Sequence, residues 1–213
     1  MAAVRSLLPR DERRAQILRA AGATFAVEGY VATSVDDVAK AAGITKLIVY
    51  RHFESKADLY RAILEETSER LVEEWVADFG DGAESKPAVA TLLRVARELP
   101  DGFRLLFVHA AREADFVEFA ADFRRLLLDV ADARIGDQLP AGSHRVWLSG
   151  LMVDSLVAAV LGWLEVGRPS DDEVWVADAT DALAAMFDSA VGSPAAVRSR
   201  GAEPPRQGAP APQ

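Results

Sequence analysis

Between Lys46 and Lys56 the chain brings two ammonium groups, a guanidinium and an imidazole into eleven residues: Lys46, Arg51, His52 and Lys56, interleaved with Leu47, Ile48 and Tyr50. No paired carboxylate accompanies them, and the set suits contact with an anionic polymer better than bond chemistry. Lys46 and Lys56 supply cations near each end, and Tyr50 and His52 offer short polar tips suited to backbone contacts. Val49 and Phe53, four apart, give this short helix one buried face. Around the helix from Val49, Leu47 and Arg51 point most nearly outward, with Ile48 and Tyr50 flanking. An outward face of that kind can lie in a major groove. The same spacing also serves a plain helical hairpin that only closes a core, and residue types alone leave both readings open.

Other chemistry finds little support. His109 and Glu113, four apart, could share a helix face as a metal pair, but no further His or Cys accompanies them, so no metal or cofactor is expected. Three histidines, no cysteine, no Gly-x-Ser-x-Gly elbow, no phosphate-binding glycine loop and no clustered carboxylate pair argue against an enzyme. The absence of cysteine fits a reducing compartment, and the N-terminus lacks an apolar run of signal-peptide length, so a cytoplasmic protein is expected. The segment 146–164 is apolar enough to resemble a membrane span, but Asp154 near its middle makes a buried helix the better expectation.

Net charge is −9, yet residues 1–60 hold nine Lys/Arg against seven acids, so a head of +2 sits on a body of −11. Screening confines each field to about 8–10 Å, and a local contact with phosphates remains compatible with the acidic whole.

The elements that must position these residues read as helices throughout. Ile17, Ala20, Ala21, Thr24 and Phe25 form a stripe over 10–28, and Gly29 stops it. Ser34 and Asp37 form a capping box for a helix that Gly43 ends. Thr45 is placed to cap 46–52, and Ser55 with Asp58 repeats the box for a helix at 56–79. Past Gly80-Asp81-Gly82, Ser85 and Pro87 start a helix that Pro100 closes, and Asp101-Gly102 reads as a turn. Asp115 with Glu118 opens a helix to about Ile135, stopped by Gly136. Pro140 and Gly142 precede a helix at 144–167, and Ser170 with Glu173 opens a last one ending near Val191. No strand pattern survives, so the fold expected is all-α. It comprises a three-helix helix-turn-helix domain at 1–60, a helical regulatory and dimerisation domain at 61–192, and a disordered Pro/Ala/Gly-rich tail at 193–213.

From Ile17 to Ile63 the order of residues resembles the N-terminal domain of the tetracycline-repressor (TetR) family. The resemblance rests on "ILRAAGATFAVEGYVATSVDDVAKAAGITKLIVYRHFESKADLY" and covers about 50 residues, nearly a quarter of the chain. It implies a homodimeric transcription regulator, most often a repressor, that binds a double-stranded operator and releases it when a small-molecule effector occupies the C-terminal domain. It also implies phosphate contacts at Ser34, Thr45, Tyr50, His52 and Lys56, and base-facing positions at Lys46, Leu47 and Ile48. Many family members carry a small or hydroxylated residue where this chain has Leu47 and Ile48. Two bulky apolar side chains cannot hydrogen-bond a base but can pack on thymine methyls, which leaves polar readout to Lys46. A helical protein-interaction scaffold without DNA binding is the alternative expectation.

In the body, Gly150, Asp154, Ala158 and Gly162 recur every four residues, a stripe of small side chains that lets another helix approach. Trp175, Ala179, Ala182, Leu183 and Met186, with Phe187, form an apolar face on the last helix. Paired with the same two helices of a second copy, they would make an isologous four-helix interface. Phe103, Phe107, Phe116, Phe119, Phe123, Trp147, Met152 and Trp163, with His109 and Arg112 as polar anchors, are the candidates to line a largely apolar effector pocket. Ligand entry there would shift the helix at 56–79 and change the separation of the two heads.

Overall fold

A computed structural model of the chain describes residues 8–80, 87–135 and 141–191. The expected tail at 193–213, the break at 81–82 and the punctuating Ser85, Gly136 and Pro140 lie outside the described residues. Among those described there is no strand. The helices are α1 (Arg10–Glu28), α2 (Val35–Ala41), α3 (Lys46–Tyr50), α4 (Lys56–Gly80), α5 (Ala88–Glu98), α6 (Pro100–Arg104), α7 (Val117–Ile135), α8 (Ser143–Val166) and α9 (Asp172–Val191). α6 runs on through a π-helical turn, Leu105–His109, and a 3-10 turn, Ala110–Arg112.

Local signals in the head act as written in the sequence. The amide of Asp37 donates to Ser34 Oγ at 3.3 Å and the amide of Ser34 donates to Asp37 Oδ2 at 2.9 Å, the reciprocal box that satisfies two orphan donors of α2. Gly43 takes φ +66°, which only glycine adopts freely, and the turn it makes lets the Ile44 amide reach back to the Ala39 carbonyl at 2.9 Å. Ser55 and Asp58 divide their work: Ser55 Oγ accepts from the Asp58 amide, while the Asp58 carboxylate accepts from the Glu54 amide.

Elsewhere tertiary contacts override the local reading. Thr45 occupies the cap position of α3 but its side chain makes no capping bond, and α3 ends at Tyr50 rather than at 52. Pro100 does not terminate the segment; the chain breaks at Leu99 and Pro100 takes the first position of α6, where its missing N–H costs nothing. The expected turn at Asp101-Gly102 is therefore helix. Gly102 is present because α4 passes against it: a Cβ there would lie 2.2 Å from Thr67 Oγ1. α7 begins at Val117, and Asp115, instead of capping it, accepts from the Tyr30 hydroxyl at 3.3 Å. α9 starts at Asp172 behind a 3-10 turn, Pro169–Asp171, which holds Ser170.

α4 runs unbroken through the boundary expected at residue 60, and the core is continuous on both sides of it. At the junction Phe25 of α1, Tyr30 of the α1–α2 loop, Tyr60 of α4 and Phe116 ahead of α7 form an aromatic cluster. Tyr60 stacks on Phe116 with centroids 4.5 Å apart and meets Phe25 and Tyr30 edge-on, each at 5.0 Å. The Tyr60 hydroxyl is buried and finds no hydrogen-bond partner among the described residues, and burial pushes its phenol well above the ordinary value. An unpaired buried hydroxyl costs about 1–3 kcal/mol of desolvation. Tyr60→Phe is therefore expected to raise the urea midpoint, by up to about 1 kcal/mol of unfolding free energy; a drop of similar size would mean the hydroxyl is paired.

Candidate nucleic-acid interface

α3 is held by Val49 and Phe53, which are buried at 1% and 3% exposure against α1 and α2. The opposite side is open. Leu47 is 63% exposed, Tyr50 47%, and Lys46 and Arg51 are exposed as well. Ile48 is half-buried and packs on the edge of the core. The helical spacing thus places Leu47 and Arg51 outward, as their separation from Val49 requires.

The cations are not equivalent. Lys46 Nζ pairs with Asp36 Oδ2 of α2 at 2.7 Å, and that hydrogen bond raises its proton affinity. Any contact of Lys46 with a base must displace Asp36, an exposed and weakly held partner. Lys56 is turned inward. Its ammonium donates to the carbonyls of Tyr30 (2.7 Å) and Thr33 (3.0 Å), with Val31 at 3.4 Å, and lies 4.4 Å from the centre of the Tyr30 ring. It fastens the α1–α2 loop, so its three donors are already engaged where a phosphate contact was expected. Ser34 is exposed beside its box partner Asp37, whose carboxyl is held low by the two bonds from Ser34. His52 is half-buried; burial lowers its proton affinity, and the positive charges of Arg10, Arg13 and Arg14 lower it further. These arginines and Asp36 were missed. The signal for the arginines was their i, i+3, i+4 spacing in "RDERR", which puts all three on one face.

In the body most of the aromatics expected to line a pocket are packed into the core or lie on the surface. Phe103, Phe116 and Phe123 are buried core, and Phe103, Phe107 and Phe123 make a row with centroids 4.6 and 6.0 Å apart. Phe119 and His109 are half-buried, and Arg112 is exposed. Trp147 is 58% exposed and stacks on His144. Trp163 stacks on Trp175 at 5.2 Å and donates Nε1–H to Asp172, which also takes the forked guanidinium of Arg97. Of the expected set, Phe107 edges an open cleft beside Arg124 and Asp154, and Met152 lines a more enclosed apolar cavity. That cavity, about 200 Å³, lies between Trp75 of α4, Leu92 of α5, Leu127 and Val130 of α7, and Met152 and Leu156 of α8. The gap opens where the aliphatic side chains of α5, α7 and α8 and the Trp75 ring of α4 fail to meet.

The proposed contact face is largely open. Asp154, Ala158, Gly162, Ala182 and Met186 are exposed, and Gly150, Trp175, Ala179 and Leu183 are half-buried. Asp154 pairs with Arg124 at 2.8 Å. α8 has mean hydropathy 1.7 over its most apolar stretch, long and apolar enough to cross a membrane by length and composition, yet only 22% of that stretch is buried within the chain.

A short exposed helix after a glycine turn, the third of three head helices joined to an all-helical body, defines a helix-turn-helix protein. Residues 17–63 match the family described as "Bacterial regulatory proteins, tetR family". The chain is 48% identical over 65 residues to the HTH-type transcriptional activator FasR of Mycolicibacterium smegmatis, a match that covers 30% of each chain. It is 28% identical over 138 residues to the HTH-type transcriptional repressor KstR2 of Rhodococcus jostii, covering 60% of this chain and 68% of that one. The chain thus spans under a third of the length of FasR, its similarity there confined to a short stretch. A solved TetR-like transcriptional regulator from a Rhodococcus species shares the fold over 89% of this chain and 98% of its own, with TM-score 0.64 at 21% identity. Over residues 17–63, then, the chain carries the N-terminal domain of the tetR family, on a body whose fold that regulator shares.

Proposed function

We propose that the chain is a cytoplasmic homodimeric transcription regulator, a repressor, that binds a two-fold operator through α3 and leaves it when a small apolar ligand enters the body. The observation that carries this reading is the open side of α3: Leu47 and Arg51 face away from all protein described, on a helix anchored from behind by Val49. Repression is favoured because KstR2, one of the relatives aligned over more than the head, is named a repressor, whereas FasR, named an activator, aligns over only 65 residues.

The lever is α4. Its first turn holds the head through Lys56 and Tyr60, and Trp75, four turns on, forms one wall of the cavity. At about 200 Å³ the cavity falls below the range of roughly 300–1,000 Å³ usual for ligand sites. A ligand must push Trp75 outward to fit and so tilt α4 with the head attached to it. Two heads set about 34–36 Å apart match successive major grooves, and any other spacing forfeits one half-site.

Duplexes selected from a random pool, titrated with salt, test the reading. Affinity is expected to fall steeply and linearly in log–log form; binding that is absent at low salt would overturn it in favour of a scaffold. Within the selected site, replacing a thymine that faces Leu47 or Ile48 by uracil is expected to weaken binding about fourfold, the worth of one buried methyl. Indifference at every thymine would remove the methyl contact from the account.

A further inference from the structure

Several guanidinium groups in the body have acids to hold: Arg70 meets Glu74 at 2.6 Å, Arg97 meets Asp172 at 2.8 Å, and Arg124 meets Asp154 at 2.8 Å. The first turns of α1 differ. Arg10, Arg13 and Arg14 share one face, with Glu12 on the opposite side and Asp11 at the flank, and none of the three forms an ion pair among the described residues. They converge on the C-terminal end of α3. The Arg14 guanidinium lies 5.2 Å from the centre of the Phe53 ring, and all three arginines act on the half-buried imidazole of His52 with no carboxylate countering them. Arg51, exposed, is the neighbouring residue. Arg13 has a structural use: it donates to Gln16 Oε1 at 2.7 Å, and Gln16 Nε2 in turn donates to the Ala42 carbonyl at 2.9 Å, tying α1 to the end of α2. Arg10 has no such task; Arg14 stacks on Phe53 and borders a cleft with Glu65, Glu66 and Glu69 of α4 without forming an ion pair to them. Positive charge left unpaired on one face of an acidic chain, beside an outward helix, is suited to a phosphodiester anion.

We propose that Arg10 and Arg14 of α1, together with Arg51 and His52, form a second phosphate seat that grips the sugar–phosphate backbone alongside the groove that α3 enters. The proposal rests on the DNA-binding reading above and adds α1 to the contact surface. It makes the seat independent of base sequence, so its loss weakens every duplex alike while leaving base preference intact.

The test is fluorescence anisotropy of the full chain on short random-sequence duplex DNA across a salt series. The Arg10→Ala/Arg14→Ala variant is expected to bind at least about tenfold more weakly at low salt, with its log–log salt slope reduced by about two per head, near 0.9 for each lost phosphate contact. Arg10→Lys/Arg14→Lys keeps the charge and is expected to keep most of the slope, which separates lost contact from misfolding. Arg19→Ala, on α1 but beside Glu66 and α6, is expected to leave the slope unchanged. An unaltered slope in the double alanine variant, or an equal loss in Arg19→Ala, overturns the seat while the DNA-binding reading stands. No binding by the wild-type chain at low salt overturns both.

Discussion

Ala158→Glu is expected to convert the proposed dimer to a monomer and to cost more than about a hundredfold in operator affinity. Ala158 is exposed within the chain, one turn beyond Asp154 on the apolar helix α8, so the substitution leaves the monomer's packing alone. Around it α8 presents an apolar surface that the chain itself covers only in small part. If two copies close over that surface about a two-fold axis, the change buries two like charges in a dry contact. The effective desolvation cost is several kcal/mol per ion, before counting their repulsion. A dimer constant would then rise by more than about a thousandfold. Operator binding follows, since a monomer reaches one half-site and forfeits the gain of about 10²–10⁴ that linking two contacts provides. Sedimentation equilibrium gives the first quantity and anisotropy on the selected operator the second, with thermal unfolding as the control for folding. A variant that remains dimeric would move the two-fold contact off α8, and one that is monomeric yet binds normally would remove the dimer from the DNA reading.

How far such residues could be recognised in advance depended on how local their causes are. Ser34 with Asp37, Gly29 and Gly43 act within four residues of themselves, and the helices they bound end within a residue or two of their expected places. Val49 and Phe53 fixed the outward side of α3 through helical spacing alone, a property of one turn. Gly102 looked like turn chemistry but serves Thr67, thirty-five positions earlier, and no local rule carries that information. Lys46 and Lys56 were legible as cations. What the sequence could not disclose is that one is paired with Asp36 and the other turned onto the loop carbonyls. The cavity was least accessible of all. It is a gap among α4, α5, α7 and α8, whereas counting aromatics finds the residues best able to prevent gaps.

Phe116→Ala should produce the largest loss of stability of any single truncation at the head–body junction, about 3–5 kcal/mol of unfolding free energy. The ring is fully buried, stacked on Tyr60 at 4.5 Å and set edge-on to Tyr30 at 5.1 Å, with the Arg61 guanidinium 5.8 Å from its centre. It precedes α7 and is the body's side chain inserted into a cluster otherwise supplied by the head and α4. Removing it leaves a hole against Tyr60, whose hydroxyl is already without a partner among the described residues, and α4 has little freedom to collapse because Lys56 and Thr67 pin it on either side. Two readouts separate packing from coupling. Urea unfolding should keep a single transition at a lower midpoint if head and body still melt together, and should split in two if this ring is what makes the core continuous. Phe116→Leu, which keeps most of the volume, should lose far less stability but still forfeit the stacked geometry. If the cluster transmits motion of α4 to the head, that milder variant will bind operator normally while requiring more ligand to release it. Equal ligand sensitivity in Phe116→Leu and the wild-type chain would confine transmission to α4 itself and reduce the aromatic cluster to packing.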